Sequence, residues 1–301
     1  MATRVMPSSK PRFKVNRYSV AGFSFVLPAL LLFVAFIFLP MIYAFWISLQ
    51  KWDILKPPVF VGPANYEALV ADPVFRSAIQ NTLYYILGSV PAGILMSLVL
   101  AILLNQQLRF RYIFRSALFL PVVTSMVAVG LLWRYMFASE YGVLNYILTL
   151  LGLRTQNWLV EPNLAMPAVI VASIWRQVGY NMMIFLAGLQ GIPDHLYEAA
   201  AIDGANRWST FWRITLPLLR PTTLFVVVMS IINSFRSFEM IYVMTGGGPS
   251  FDTQVLVLYL YREAFQMLHM GIASAAAYVL FIILMVLTIL QMKFFGREVE
   301  Y

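Results

Sequence analysis

Cysteine is absent from the 301 residues. That excludes disulfides, thiolate metal sites and thiol catalysis. Histidine is nearly absent: only His195 and His269 occur, too few for a histidine-rich metal site. Charge is scarce, at 11% of residues against about 25% in ordinary soluble domains. No Gly-x-x-x-x-Gly-Lys-Ser/Thr phosphate loop is present, so this chain has no phosphate-binding motif of its own for ATP chemistry. Internal repeats and low-complexity tracts are absent as well.

What remains is apolar. The composition is 61% hydrophobic and the mean hydropathy is +0.77, which points to the bilayer as solvent. The net charge of +8 raises nucleic acid as a partner. The basic residues, however, sit beside apolar runs, where membrane topology accounts for them and nucleic acid is not needed.

A membrane span needs about 20 apolar residues. Six segments qualify: 20–46, 82–104, 112–137, 164–190, 220–245 and 272–294. The expected fold is therefore all-α, a polytopic membrane protein of six transmembrane helices. Pro28, Pro40, Pro91, Pro121 and Pro167 fall within or at the ends of spans and predict kinks. The first apolar run is too long for a signal-peptide core and is read as a retained span.

Thirteen of the 21 Lys and Arg residues lie on one set of flanks: Arg4, Lys10, Arg12, Lys14, Arg17, Arg109, Arg111, Arg115, Arg207, Arg213, Arg220, Lys293 and Arg297. The opposite flanks hold Lys51, Lys56, Arg76, Arg134, Arg154 and Arg262. The positive-inside rule then puts both termini in the cytoplasm. The expected divisions are a basic cytoplasmic tail 1–19, a six-helix domain 20–294 with a cytoplasmic loop 192–219, and a short tail 295–301. Outer segments 47–81 and 138–163 read as ordered surface loops, and Val255–Tyr261 as a short interfacial helix.

The loop is a polar island between two spans. Pro193 suits the first helical position, and Asp194 and Glu198 suit the positive helix end. Leu196, Ala199, Ala200 and Asp203 recur at helical spacing, giving one mostly small, apolar face. Gly204 ends the helix, as a left-handed C-terminal residue, and Asn206 caps a second helix. Trp208, Phe211, Trp212 and Thr215 line one face of that helix, which Pro217 stops. An amphipathic interfacial hairpin also accommodates the two tryptophans. It leaves the Ala face, Gly204 and the ending Ile214-Thr215-Leu216-Pro217 unexplained.

The order Glu198-Ala199-Ala200, Gly204 and Ile214-x-Leu216-Pro217 resembles the signature loop of the permease subunits of binding-protein-dependent ABC importers. Further stretches resemble the carbohydrate-uptake group of that family. They are Phe60-Val61-Gly62 with Asn65-Tyr66, Asp72-Pro73 before Asn81-Thr82-Leu83, Phe114 to Pro121, and Glu239 to Pro249. Many relatives carry Asp where Glu239 stands. The resemblance implies the type I importer permease fold and a heterodimer with a second, similar permease. It also implies an ABC ATPase dimer that holds ATP and Mg, and an extracytoplasmic solute-binding protein. The location implied is a bacterial or archaeal inner membrane. Carried over residue by residue, Glu198, Ala199, Ala200, Asp203, Gly204, Ile214, Leu216 and Pro217 form the ATPase-docking segment. The cargo implied is a sugar or, alternatively, glycerol phosphate.

Charges inside spans are costly and mark functional sites. Arg176 lies about 18 Å below the outer surface at 1.5 Å per helical residue, Arg236 about 14 Å and Glu239 about 9 Å. A shared polar cluster is expected, and Arg236 with Glu239 suits an i,i+3 pair on one helix. Trp175, Tyr180, Asn181, Asn233 and Tyr242 suit a sugar, through aromatic faces and amides, or serve ordinary helix packing. An unpaired Arg176 and Arg236 facing an open cavity would favour an anionic solute; neutralisation by Glu239 would favour a neutral one. Two other classes fit the sequence less well. An intramembrane enzyme needs a nucleophile–base pair or paired Asp inside spans, and no Asp lies there. A channel or secondary transporter needs no docking loop and often shows repeat symmetry, which is missing.

Overall fold

The computed structural model describes residues 17–106 and 109–295. The expected tails lie outside it for residues 1–16 and 296–301, as do residues 107 and 108. The chain is mostly helical, with four helices long and apolar enough to span a membrane, or six spans if two bent helix pairs each count as one. α1 covers residues 17–48 and is widened by a π turn at Val34–Phe38. A hairpin of β1 (Gln50–Lys51) and β2 (Val59–Phe60) follows. This pair is the one departure from an all-α fold among the described residues. Then come α2 (Ala64–Ala71) and α3 (Pro73–Asn105). α3 begins nine residues before the expected span because Asp72 caps it, accepting from the Val74 N–H at 2.8 Å. Its polar first turns hide that start from hydropathy.

The expected third span 112–137 is not one helix. α4 (Arg111–Val123) and α5 (Met126–Met136) meet at 101°. Thr124 is extended between them, and its hydroxyl donates to the Leu120 carbonyl at 3.0 Å. That bond satisfies a carbonyl freed at the helix end. α6 (Val143–Leu150) crosses the next loop, and α7 (Pro162–Gln190) is the fourth span. α8 (Asp194–Ile202) and α9 (Arg207–Leu218) make the polar hairpin. α10 (Arg220–Phe235) leaves α9 at 64°. The expected fifth span 220–245 also breaks: α10 stops at Phe235, and α11 (Glu239–Met244) restarts after three residues. α12 (Leu256–Tyr261) and α13 (Met270–Phe295) complete the chain.

Pro28, Pro91 and Pro167 sit inside helices that stay single spans, so most of the expected kinks are absent as sharp bends. Of the three π turns among the described residues, Val34–Phe38, Phe211–Thr215 and Arg262–Gln266, the first two end at a Leu-Pro step, Leu39-Pro40 and Leu216-Pro217. Widening the turn moves the backbone away from the proline ring, which would otherwise strike the carbonyl one turn back.

The most extensively packed pair is α3 with α7. Ser97 on α3 donates both to Gly93, one turn back, and across to the Val178 carbonyl at 3.1 Å. On the other side of α7, a Cβ on Gly179 would stand 2.0 Å from the Leu118 carbonyl oxygen of α4. No side chain fits there. α1 is exposed over residues 22–40 and meets α13 only near its C-terminal end, where the Tyr278 hydroxyl donates to the Met41 carbonyl.

The end of the bundle that carries the β-hairpin is locked by polar side chains. Asn65 donates to the Ser48 and Gln50 carbonyls, both at 2.8 Å, and Tyr66 bonds Ser48 at 2.7 Å. Asn81 holds the Phe251 and Gln254 carbonyls, and Thr82 accepts the Leu256 N–H at 2.9 Å. The Tyr259 hydroxyl donates to Asp72 at 2.7 Å. Burial pushes the Tyr259 phenol upward, and the Asp72 carboxylate reinforces the shift. Arg262 binds the Gly246 carbonyl at 2.7 Å and the Gln254 amide oxygen. α12 therefore is not an interfacial helix: Leu256, Leu258 and Tyr259 are buried in the bundle.

Two substitutions test this packing. Asn65→Ala leaves two carbonyls without donors and should cost roughly 1–3 kcal/mol. It should read as a lowered Tm in detergent. Gly179→Val should lower Tm further, because the atom it meets is backbone and cannot swing aside; an unchanged Tm would refute the close approach.

Candidate functional sites: the polar hairpin and a cavity between the spans

The hairpin is tied to the bundle along one side. Pro193 is extended and precedes α8, one residue outside the expected position. Leu196, Tyr197 and Ala200 turn inward; the first two pack against the cluster built on Leu104, Leu189 and Leu219. Tyr197 also bonds Thr215 at 3.2 Å. The expected face of Leu196, Ala199, Ala200 and Asp203 is thus divided. Ala200 is buried at 7% exposure, while Glu198, Ala199 and Asp203 face outward. Spacing decides this, because Ala200 lies one turn from both Leu196 and Tyr197. Ile202, which sequence reasoning passed over, is 87% exposed beside Gly204.

Gly204 has φ +75° with open space around it. Its N–H donates to the Ala201 carbonyl, and that of Ala205 to the Ala200 carbonyl. This is the paired pattern that closes a helix on a left-handed residue. Asn206 caps α9 by accepting the Ser209 N–H at 2.8 Å. Trp208 and Trp212 pack edge to face at 5.6 Å and are exposed, as is Pro217. Phe211, Ile214 and Leu216 are half-buried. Thr215 is buried and does not share the tryptophan face, because the π turn at Phe211–Thr215 shifts the register by one residue. Pro217 does not stop the helix. α9 continues to Leu218 and breaks at Leu219, whose N–H still reaches the Thr215 carbonyl at 2.9 Å.

The second feature is a cavity of about 380 Å³ between α3, α7, α10 and the start of α11. Arg176, Asn181, Asn233, Arg236 and Glu239 all line it, so the three charges expected in one polar cluster meet, together with two of the five residues suited to a sugar. Trp175, Tyr180 and Tyr242 do not line it. Trp175 packs edge-on against Trp133 at 5.7 Å, Tyr242 stacks on Phe238 at 5.2 Å, and Tyr180 is half-buried.

Arg236 and Glu239 are not an i,i+3 pair on one helix. Arg236 ends α10, Glu239 opens α11, and Ser237 and Phe238 form the break between them. Among the described residues the ion pairs are Lys56–Asp53 and His269–Glu263. Arg176, Arg236 and Glu239 make none. The break is pinned to α3 by a 3.1 Å bond between the Tyr85 and Ser237 hydroxyls. Asn181 donates to Ser230 on α10 at 3.1 Å, while its Oδ1 and the Arg176 Nε are buried without a partner.

The polar lining that sequence reading missed had a signal. Ser173, Gln177 and Asn181 recur every four residues on α7, as do Tyr85, Ser89 and Gly93 on α3. Ser230, Asn233, Ser234 and Ser237 recur at three and four. Each is a polar stripe along an apolar helix, and the three stripes face one another.

The model of the family described as binding-protein-dependent transport system inner membrane component matches residues 18–301. The chain belongs to that family. It is similar to the arabinooligosaccharides transport system permease protein AraP of Bacillus subtilis, at 41% identity over 92% of this chain and 88% of AraP. A chain of a bacterial ABC transporter involved in the import of the acidic polysaccharide alginate superposes with TM-score 0.82 at 27% identity, covering 94% of this chain and 98% of that one. A bacterial alginate transporter in complex with an alginate pentasaccharide-bound periplasmic protein gives TM-score 0.81 at 27% identity, covering 91% and 93%. The permease fold of this family, with its apolar spans, is thus the fold of this chain.

Asn206→Ala removes a cap that contributes about 1 kcal/mol. Hydrogen exchange should show the Ser209 amide opening several-fold faster while α10 stays protected; an unchanged rate would contradict the capping role.

Proposed function

We propose that this chain is the membrane-spanning subunit of an ATP-driven sugar importer. On this reading residues 192–219 and both termini lie in the cytoplasm, the side favoured by thirteen Lys and Arg against six. The cavity is this subunit's half of the solute path. A second, similar permease supplies the other half, an ABC ATPase dimer carries ATP and Mg, and an extracytoplasmic solute-binding protein delivers cargo. The alginate transporter solved with its periplasmic protein supports the last of these by likeness, and the sugar-permease relative supports the cargo class. The setting is a bacterial or archaeal inner membrane.

The observation that carries the reading is the polar cavity walled by spanning helices, on a chain of this family whose hairpin stands out at one end. Charge without an ion-pair partner is retained at membrane depth where something polar must pass. The hairpin offers an ATPase a rigid surface: Glu198, Ala199 and Asp203 face out, Gly204 makes the turn, and Ile202 and Trp208 add apolar contact. Ile214, Leu216 and Pro217 stiffen its return. Tyr197–Thr215 and the Leu219 cluster transmit a push on that surface to α7 and α10.

In the reconstituted complex, Glu198→Lys and Gly204→Asp should leave the protein in the membrane and abolish solute-stimulated ATP hydrolysis. Normal coupling in both variants would sink the docking assignment.

A further inference from the structure

Three charged side chains line one cavity, two cationic and one anionic, and none forms an ion pair among the described residues. Arg236 and Glu239 are exposed into open space on either side of the α10–α11 break. Arg176 is half-buried, and its Nε–H has no acceptor. A path for a neutral sugar is served by amides, hydroxyls and aromatic faces, and gains nothing from surplus positive charge kept inside a span. Two guanidinium groups facing an open cavity instead match an oxygen anion. Their planar, always-charged forks take carboxylate or phosphate by paired hydrogen bonds. The rest of the lining suits the body of the same molecule. The unpartnered Asn181 Oδ1, the exposed Asn233 and the Glu239 carboxylate accept from or pair with hydroxyl groups.

We infer that the cargo carries a negatively charged group, a carboxylate or a phosphate on a hydroxyl-rich body, received by Arg176 and Arg236. This rests on reading the cavity as the solute path. Glu239 works on the hydroxyl side of the cargo and does not neutralise the arginines. The two guanidinium groups set the selectivity of this half of the path, and the amide and hydroxyl stripes set only its polarity.

The test uses the full complex with its ATPase, partner permease and binding protein in proteoliposomes. Uptake is measured for a uronic-acid oligosaccharide, its carboxyl-reduced neutral counterpart and glycerol phosphate. The expected result is uptake of at least one acidic probe, with little or none of the neutral one. Which acidic probe enters tells carboxylate from phosphate. Arg176→Gln and Arg236→Gln should each reduce acidic uptake at least tenfold with the complex still assembled in the membrane, and Glu239→Gln should reduce it less than threefold. Uptake of the neutral probe alone, or of neither acid, overturns the proposal. So does recovery of an Arg236→Glu loss by adding Glu239→Arg, since the two charges would then serve each other. Asn181→Leu separates the layers of the argument. If it blocks uptake while both arginine variants are unaffected, the solute path stands and the anion does not. If none of the three has an effect, the cavity is not the path.

Discussion

A backbone inside a bilayer has no water to bond with, so helical hydrogen bonding is obligatory wherever lipid is the neighbour. The two interruptions among the spans obey that constraint in different ways. The step at Thr124–Ser125 turns the chain through 101° and hands a freed carbonyl to the Thr124 hydroxyl. The step at Arg236–Phe238 opens onto the cavity and is anchored through Ser237 to Tyr85. Each interruption launches a short helix, and α5 and α11 pack on one another. Met126 and Met240 from those helices line the same cavity as the charges. The polar space and the broken helices are one feature, because irregular backbone at that depth is tolerated only where it is buried in protein or lines a cavity.

The charges themselves are a cost. An Arg at a helix centre is unfavourable by about 2.5–3.5 kcal/mol on insertion scales; Arg176 sits within α7 and Arg236 at the end of α10. Tight packing elsewhere offsets this. α3 and α7 approach through Ser97 and Val178, and α7 accepts α4 against Gly179. At the β-hairpin end of the bundle the holding is done by amides and hydroxyls: Asn65, Asn81, Thr82 and Tyr259 tie the loops to the helix starts.

Hydropathy marked six apolar stretches in the order in which the helices follow and, for α7 and α13, gave the helix ends to within a few residues. It failed where polarity and backbone chemistry disagree with it. The polar first turns of α3 read as loop until Asp72 is recognised as a cap. The breaks after Val123 and Phe235 fall in stretches that remain apolar overall, so no average over them reports a bend. In the hairpin, Gly204 and Asn206 were legible because a left-handed residue and an N-cap have narrow chemical requirements. The orientation of Ala200 and Thr215 was not. One depends on what packs behind α8, the other on a π turn that adds a residue to the helical period. In the cavity, Arg176, Arg236, Glu239, Asn181 and Asn233 announced themselves by polarity. Trp175, Tyr180 and Tyr242 did not belong with them, since aromatic residues serve helix packing as readily as a sugar. The serine stripes carried a clearer pattern, with each residue too ordinary to notice alone.

α10 runs between two joints, a 64° turn at Leu219 and the gap after Phe235. Its lower joint is seated in the cluster that holds the polar hairpin, and its upper joint carries the charged rim of the cavity. On the importer reading proposed above, a rod held at both ends in this way would work as a crank. It can swing as a rigid piece while its own hydrogen bonds stay closed, so a displacement of the hairpin arrives at Arg236 and Glu239 without any helix having to melt.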